Sequence, residues 1–130
     1  MSINPESIYF IIAFVAPMIW FRTLFAFVPI YFKRPLTRSV LKVRWHHLHH
    51  GVLFVIASAV MLLLFPEKRI VTVILLGIGL GSIMDLFIPS LLLQTNREEE
   101  LVVYRNSLVP TIILFAGILL LLFLLYSFSL

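Results

Sequence analysis

The chain has no cysteine, and only 12% of its 130 residues are charged. Without cysteine there is no disulfide framework and no thiolate ligand. Soluble globular domains carry charge on roughly a quarter of their residues, so this chain has too little polar surface to face water on all sides. A membrane β-barrel needs at least about eight alternating strands, and an open sheet in lipid leaves backbone groups unpaired. Basic residues are missing from the N-terminal Met1-Ser2-Ile3-Asn4-Pro5-Glu6, and no small-residue cleavage site follows the first apolar run. That run is therefore expected to be a retained span rather than a signal peptide. With no Met-Gly start and no C-terminal cysteine, no lipid anchor is expected either.

What the chain does have is apolar length. It is 62% hydrophobic, with a mean hydropathy of +1.10. Four stretches, at about 8–32, 45–65, 70–93 and 108–126, approach or exceed the roughly 20 helical residues that cross a hydrocarbon core. Pro17, Arg22 and Pro29 interrupt the first. Pro66-Glu67-Lys68-Arg69 reads as a tight polar turn between the second and third, and 94–106 as a polar connection before the fourth. The expected fold is all-α: a polytopic membrane protein with four transmembrane helices in an antiparallel bundle, forming a single transmembrane domain over 1–130.

The net charge of +4 does not point to nucleic acid, because five of the ten basic residues (Lys33, Arg34, Arg38, Lys42 and Arg44) crowd into one connection. Such a bias orients membrane proteins with the basic loop inside. The expected localisation is the cell membrane, multi-pass, with 33–44 cytoplasmic and both termini outside. Apolar Leu36, Val40, Leu41 and Val43 also allow this segment to lie on anionic headgroups; an ordinary topology-setting loop is the simpler reading. Glu98-Glu99-Glu100 reads as solvated loop, or as the N-cap region of a short helix leading to Tyr104. Trp20, Tyr31, Trp45 and Tyr126 read as interface anchors or packing residues.

All four histidines fall within His46-His47-Leu48-His49-His50, at the mouth of the second span. His46, His49 and His50 are spaced i, i+3, i+4 and share a helix face. His47 is turned about 100° away, toward headgroups or another helix. Two ionisable residues lie at membrane depth, Arg22 and Asp85, where a charge on a spanning helix costs about 2.5–3.5 kcal/mol on insertion scales. About a turn centred between Glu67 and Lys68, His50 and Asp85 are equidistant, so the two are expected at one depth with Arg22 close by. Gly77, Gly81 and Asp85 recur every fourth residue, a small-residue row that admits a neighbouring helix. Pro89, if the helix continues past it, removes the hydrogen bond to the Asp85 carbonyl. Ser82 and Ser90 add hydroxyls nearby.

The candidate metal ligands are thus His46, His49, His50 and Asp85, with Arg22 as intramembrane charge partner and Gly77 and Gly81 as packing positions. Imidazole and carboxylate donors suit Zn, Cu or Fe, and haem held by two histidines is a further option. The simpler readings are an Arg22–Asp85 structural pair and an interfacial histidine belt. Gly77-Ile78-Gly79-Leu80-Gly81 lacks the preceding strand that dinucleotide binding requires, so close packing is its expected role.

His46-x-x-His49-His50 resembles one histidine box of the membrane desaturases and fatty-acid hydroxylases. Those families use several boxes around two metal ions, and this chain carries one. The run from His46 to Gly51, together with Gly77-Ile78-Gly79-Leu80-Gly81-Ser82-Ile83-Met84-Asp85, is similar to small uncharacterised prokaryotic membrane proteins with a His-rich helix start and a Gly-rich, acid-ended helix. Three functions follow as expectations. The first is a membrane-complex subunit or homo-oligomer whose His/Asp cluster binds a transition metal or stabilises the larger complex. The second is a metal-dependent oxidase, hydroxylase or hydrolase acting on lipid, and the third a proton or ion pathway. The subunit, not catalytic on its own, is preferred.

Overall fold

The computed structural model describes residues 4–28, 47–92 and 97–128. Among these, every regular element is helical: α1 (Pro5–Phe27), α2 (His47–Leu64), a 3-10 turn (Pro66–Lys68), α3 (Arg69–Leu91), α4 (Arg97–Asn106) and α5 (Leu108–Phe128). Four segments are long and apolar enough to cross a membrane: Pro5–Phe27, His47–Leu64, Pro66–Leu91 and Leu108–Leu125. The basic connection 33–44, Trp45 and His46 lie outside the described residues.

Proline sets the ends of these helices. Asn4 caps α1, its side chain accepting a hydrogen bond from the Glu6 N–H at 3.1 Å, and Pro5 takes the first turn, where no N–H is needed. At the other end Val28 precedes Pro29, which disfavours helical geometry for the residue before it, and Val28 sits at φ −129°, ψ 59°. Helix α1 therefore ends at Phe27; the remainder of the expected span, 29–32 with Tyr31, lies outside the described residues. Phe65, before Pro66, adopts nearly the same angles, φ −135° and ψ 61°, and ends α2. The expected turn at Pro66-Glu67-Lys68-Arg69 is present, closed by the Lys68 N–H donating to the Phe65 carbonyl at 2.9 Å. Pro17 and Pro89, by contrast, lie inside α1 and α3 without ending them.

The chain divides into two compact units, Met1–Asp85 and Leu86–Leu130. In the first, α2 and α3 form a hairpin whose strands of contact run in opposite directions: Gly51 meets Gly79, and His47 meets Asp85. Helices α1 and α3 run parallel. Arg69 and Asp85 each stand 63 positions after their α1 partners, Glu6 and Arg22. The Glu6–Arg69 pair is long, at 3.9 Å, and exposed, so it contributes little.

Helix α3 is the centre of this unit, and its buried residues are small or polar: Thr72, Gly77, Gly79, Gly81, Ser82 and Asp85. In lipid, apolar side chains gain nothing by leaving one oily surface for another, and close backbone approach drives association instead. The glycines provide that approach on two faces. A Cβ on Gly77 would lie 2.8 Å from the Ala13 Cβ and 2.9 Å from the Phe10 carbonyl oxygen, and one on Gly81 would collide with the Phe14 carbonyl oxygen. Gly79, about 200° round the helix from Gly77, faces α2, where a Cβ would come within 2.8 Å of the Gly51 carbonyl oxygen. The Gly-Ile-Gly-Leu-Gly run thus packs α1 with its outer glycines and α2 with its middle one.

In the second unit the polar connection 94–106 contains a helix rather than loop alone. Glu99 and Glu100 stand in the first turn of α4, where acidic residues favour the helix dipole. Helix α4 passes almost directly into α5, the Thr111 N–H donating to the Ser107 carbonyl at 2.9 Å. Tyr104, Ser107, Thr111 and Phe115 recur at helical spacing and are all buried. The Ser107 hydroxyl donates to the Tyr104 carbonyl at 2.8 Å.

Candidate functional site

The most concentrated polar chemistry among the described membrane-depth residues surrounds Asp85. Its side chain is fully buried, and those of Arg22 and His47 are 10% and 12% exposed. Three helices deliver the three groups: α1 carries Arg22, α2 begins at His47, and α3 holds Asp85.

Each carboxylate oxygen has its own donor. Arg22 Nε donates to Oδ1 at 2.8 Å, and His47 Nε2 lies 3.0 Å from Oδ2. An ionised carboxylate only accepts hydrogen bonds, so the imidazole donates from Nε2. Arg22 Nη2 also donates, at 3.2 Å, to the main-chain carbonyl of Asp85. That carbonyl is the one whose helical partner would be the N–H of residue 89, and residue 89 is proline. The acceptor that Pro89 leaves open is thus taken by the same guanidinium that pairs with the carboxylate. Arginine suits this task because its planar fork holds several donors in fixed geometry.

Phe21, the residue before Arg22, stacks on the His47 ring, with centroids 4.0 Å apart and planes at 14°. Adjacent positions on α1 therefore grip the cluster twice, one ring against the imidazole and one guanidinium against the acid. Bonded on one side and stacked on its face, the imidazole is held in a single orientation.

Of the residues expected at this site from sequence, Arg22 and Asp85 come together, and Gly77 and Gly81 bring α1 close enough for them to do so. The histidine that reaches Asp85 is His47. His49 stands about 200° from His47 around α2, so the rotation that aims His47 at the acid carries His49 away from it. His50 is one turn along and exposed. Among the described residues, no group of three or more histidines and acids is placed to hold a metal ion; His46 lies outside them. The Asp85 carboxylate is engaged by Arg22 and His47. Ser82 and Ser90 do not join the cluster either: their hydroxyls donate to carbonyls of their own helix, Ile78 and Phe87, each at 2.8 Å.

No family model, no curated protein and no solved structure matches this chain.

Sequence reasoning missed two participants. His47 emerges once the hairpin is centred on Pro66, since His47 and Asp85 each lie nineteen positions from it. The stacking role of Phe21 had no sequence signal beyond its place beside Arg22.

The arrangement can do one thing well. A buried carboxylate faced by a guanidinium and an imidazole, all at hydrogen-bonding distance, ties three helices at a single depth. Breaking such a pair leaves an uncompensated charge out of water, so the cluster favours one register of α1, α2 and α3 over slipped alternatives.

Proposed function

We propose that this is a small multi-pass membrane protein working as a subunit of a larger membrane assembly, with other membrane proteins or copies of itself as partners. Arg22, Asp85 and His47 form the internal clasp that gives it one shape. The observation that carries this reading is the complete burial of Asp85 with both carboxylate oxygens and its carbonyl engaged by neighbouring helices. Polar groups committed to one another in this way hold structure; a reacting centre keeps a donor or acceptor aimed at its substrate.

The outward surfaces support the same view. Only 11–33% of each spanning window is buried within the molecule, and the rest presents large aliphatic side chains such as Ile12, Ile19, Leu53, Leu63, Ile113 and Leu120. Those surfaces suit lipid and the spans of partner subunits. On this reading the four spans form an antiparallel bundle, the 33–44 connection faces the cytoplasm, and both termini lie outside.

Native mass spectrometry of the full chain released from membrane vesicles, combined with elemental analysis, tests the proposal. The expected result is a defined species heavier than the 15.0 kDa single chain, without stoichiometric transition metal. A single chain at every detergent strength would contradict it. So would one metal ion per chain that disappears in His49→Ala, which would restore the metal-site reading.

A further inference from the structure

We propose that the cluster is also a latch on the third span: Arg22 supplies the donor that Pro89 denies to the Asp85 carbonyl, so the geometry of α3 around Pro89 is fixed only while Arg22 is docked. This deepens the clasp reading and rests on it.

Proline inside a helix removes one main-chain donor, and its ring crowds the carbonyl four residues back. Sharp helix bends concentrate at such positions. In a spanning helix the freed carbonyl has no water to turn to, and proline is tolerated there because a neighbouring group takes the carbonyl over. Here α3 continues past Pro89 to Leu91, and the donor is Arg22 Nη2, at 3.2 Å.

The identity of the donor matters. The guanidinium that serves the main chain also holds the carboxylate of the same residue through Nε, at 2.8 Å. Being rigid and planar, it leaves both acceptors together. Loss of the ion pair and release of the backbone are therefore one event.

The absence of cysteine from the chain makes the test direct. Nitroxide labels on Val71→Cys and Leu91→Cys, both exposed positions on α3, lie about 30 Å apart for twenty helical residues. Pulsed dipolar distance distributions would be recorded in phosphatidylcholine–phosphatidylglycerol vesicles for four chains: the parent, Arg22→Lys, Pro89→Ala, and the two combined. Lysine keeps the charge for the carboxylate but lacks the second arm of the fork. The expected result is a narrow distribution in the parent and one roughly twofold broader in Arg22→Lys. Pro89→Ala alone is expected to be narrow. The combined variant is expected to be narrow again, because alanine returns the helical donor. That rescue separates a latch from general loosening.

An Arg22→Lys distribution as narrow as the parent's would overturn the proposal, as would a combined variant as broad as Arg22→Lys alone. Should Arg22→Lys fail to insert, infrared spectroscopy with a 13C=18O label on the Asp85 carbonyl decides in the parent background. The labelled band is expected to move on Pro89→Ala, from a carbonyl bonded by a side chain to one bonded within the helix. An unmoved band overturns the latch. Labelled chains are diluted with an excess of unlabelled parent chain, which removes distances between copies, so latch and subunit proposals fail separately.

Discussion

Replacing Asp85 by leucine is expected to destabilise the protein by about 3–5 kcal/mol, the range found when one member of a buried ion pair is removed. The size follows from what is left behind. Arg22, 10% exposed, would keep its charge at membrane depth with neither the carboxylate to neutralise it nor space to be rehydrated, and His47 would lose its acceptor. Had Asp85 stood alone, the same change would have relieved a cost of about 2.5–3.5 kcal/mol, so the sign of the effect is itself informative. Adding Arg22→Met to Asp85→Leu is expected to recover most of the loss, since a buried pair replaced by apolar side chains of similar volume is often neutral. Reversible unfolding in mixed micelles, followed by circular dichroism, gives all four corners of this cycle. Strong non-additivity between positions 22 and 85 is the expected outcome.

The second large effect lies at Gly81. A methyl group there would run into the Phe14 carbonyl oxygen, a backbone atom that cannot rotate aside as a side chain can. Gly81→Ala is therefore expected to cost about 1–3 kcal/mol through overpacking, even though alanine is the better helix former by about 1 kcal/mol. Gly117 in α5 is the control, because a Cβ there meets nothing within 4 Å. Gly117→Ala should be neutral or stabilise by up to about 1 kcal/mol, the helix-propensity gain with no clash to offset it. Thermal unfolding of both variants in one detergent makes the comparison. Equal behaviour at the two positions would mean that α1 does not pack on α3 at Gly81.

The helices themselves were legible because apolar length and proline placement are written locally. Pro66 and the charged residues after it announce the turn between α2 and α3, and Pro29 announces the end of α1, although counting apolar residues alone carries that span on to 32. The carbonyl left open by Pro89 was also legible, since it needs only the i to i−4 rule of the helix. What took it up was not, because that depends on how α1 lies against α3. The choice among histidines turned on a shift of one and a half residues in the centre of the hairpin. Centring it between Glu67 and Lys68 levels His50 with Asp85, whereas centring it on Pro66 levels His47. The 3-10 geometry of Pro66–Lys68 tightens the turn, and no periodicity in the flanking spans encodes that. An i, i+3, i+4 trio looked like a ligand set because it shares a face, yet the α2 residue that meets the acid lies off that face. The buried stripe from Tyr104 to Phe115 went unread for a related reason: its hydroxyls are sparse among many leucines.

The account stands on contact between Arg22, Asp85 and His47, and internuclear distances in a bilayer measure that contact most directly. With 15N on the arginine and histidine side chains and 13C on the Asp85 carboxyl carbon, rotational-echo solid-state NMR is expected to show dephasing for both Arg22 Nε and His47 Nε2. The corresponding nitrogen–carbon separations are about 3.5–4 Å, as hydrogen-bonded partners require. Dephasing at His49 or His50 in place of His47, or none at Arg22, would contradict the account.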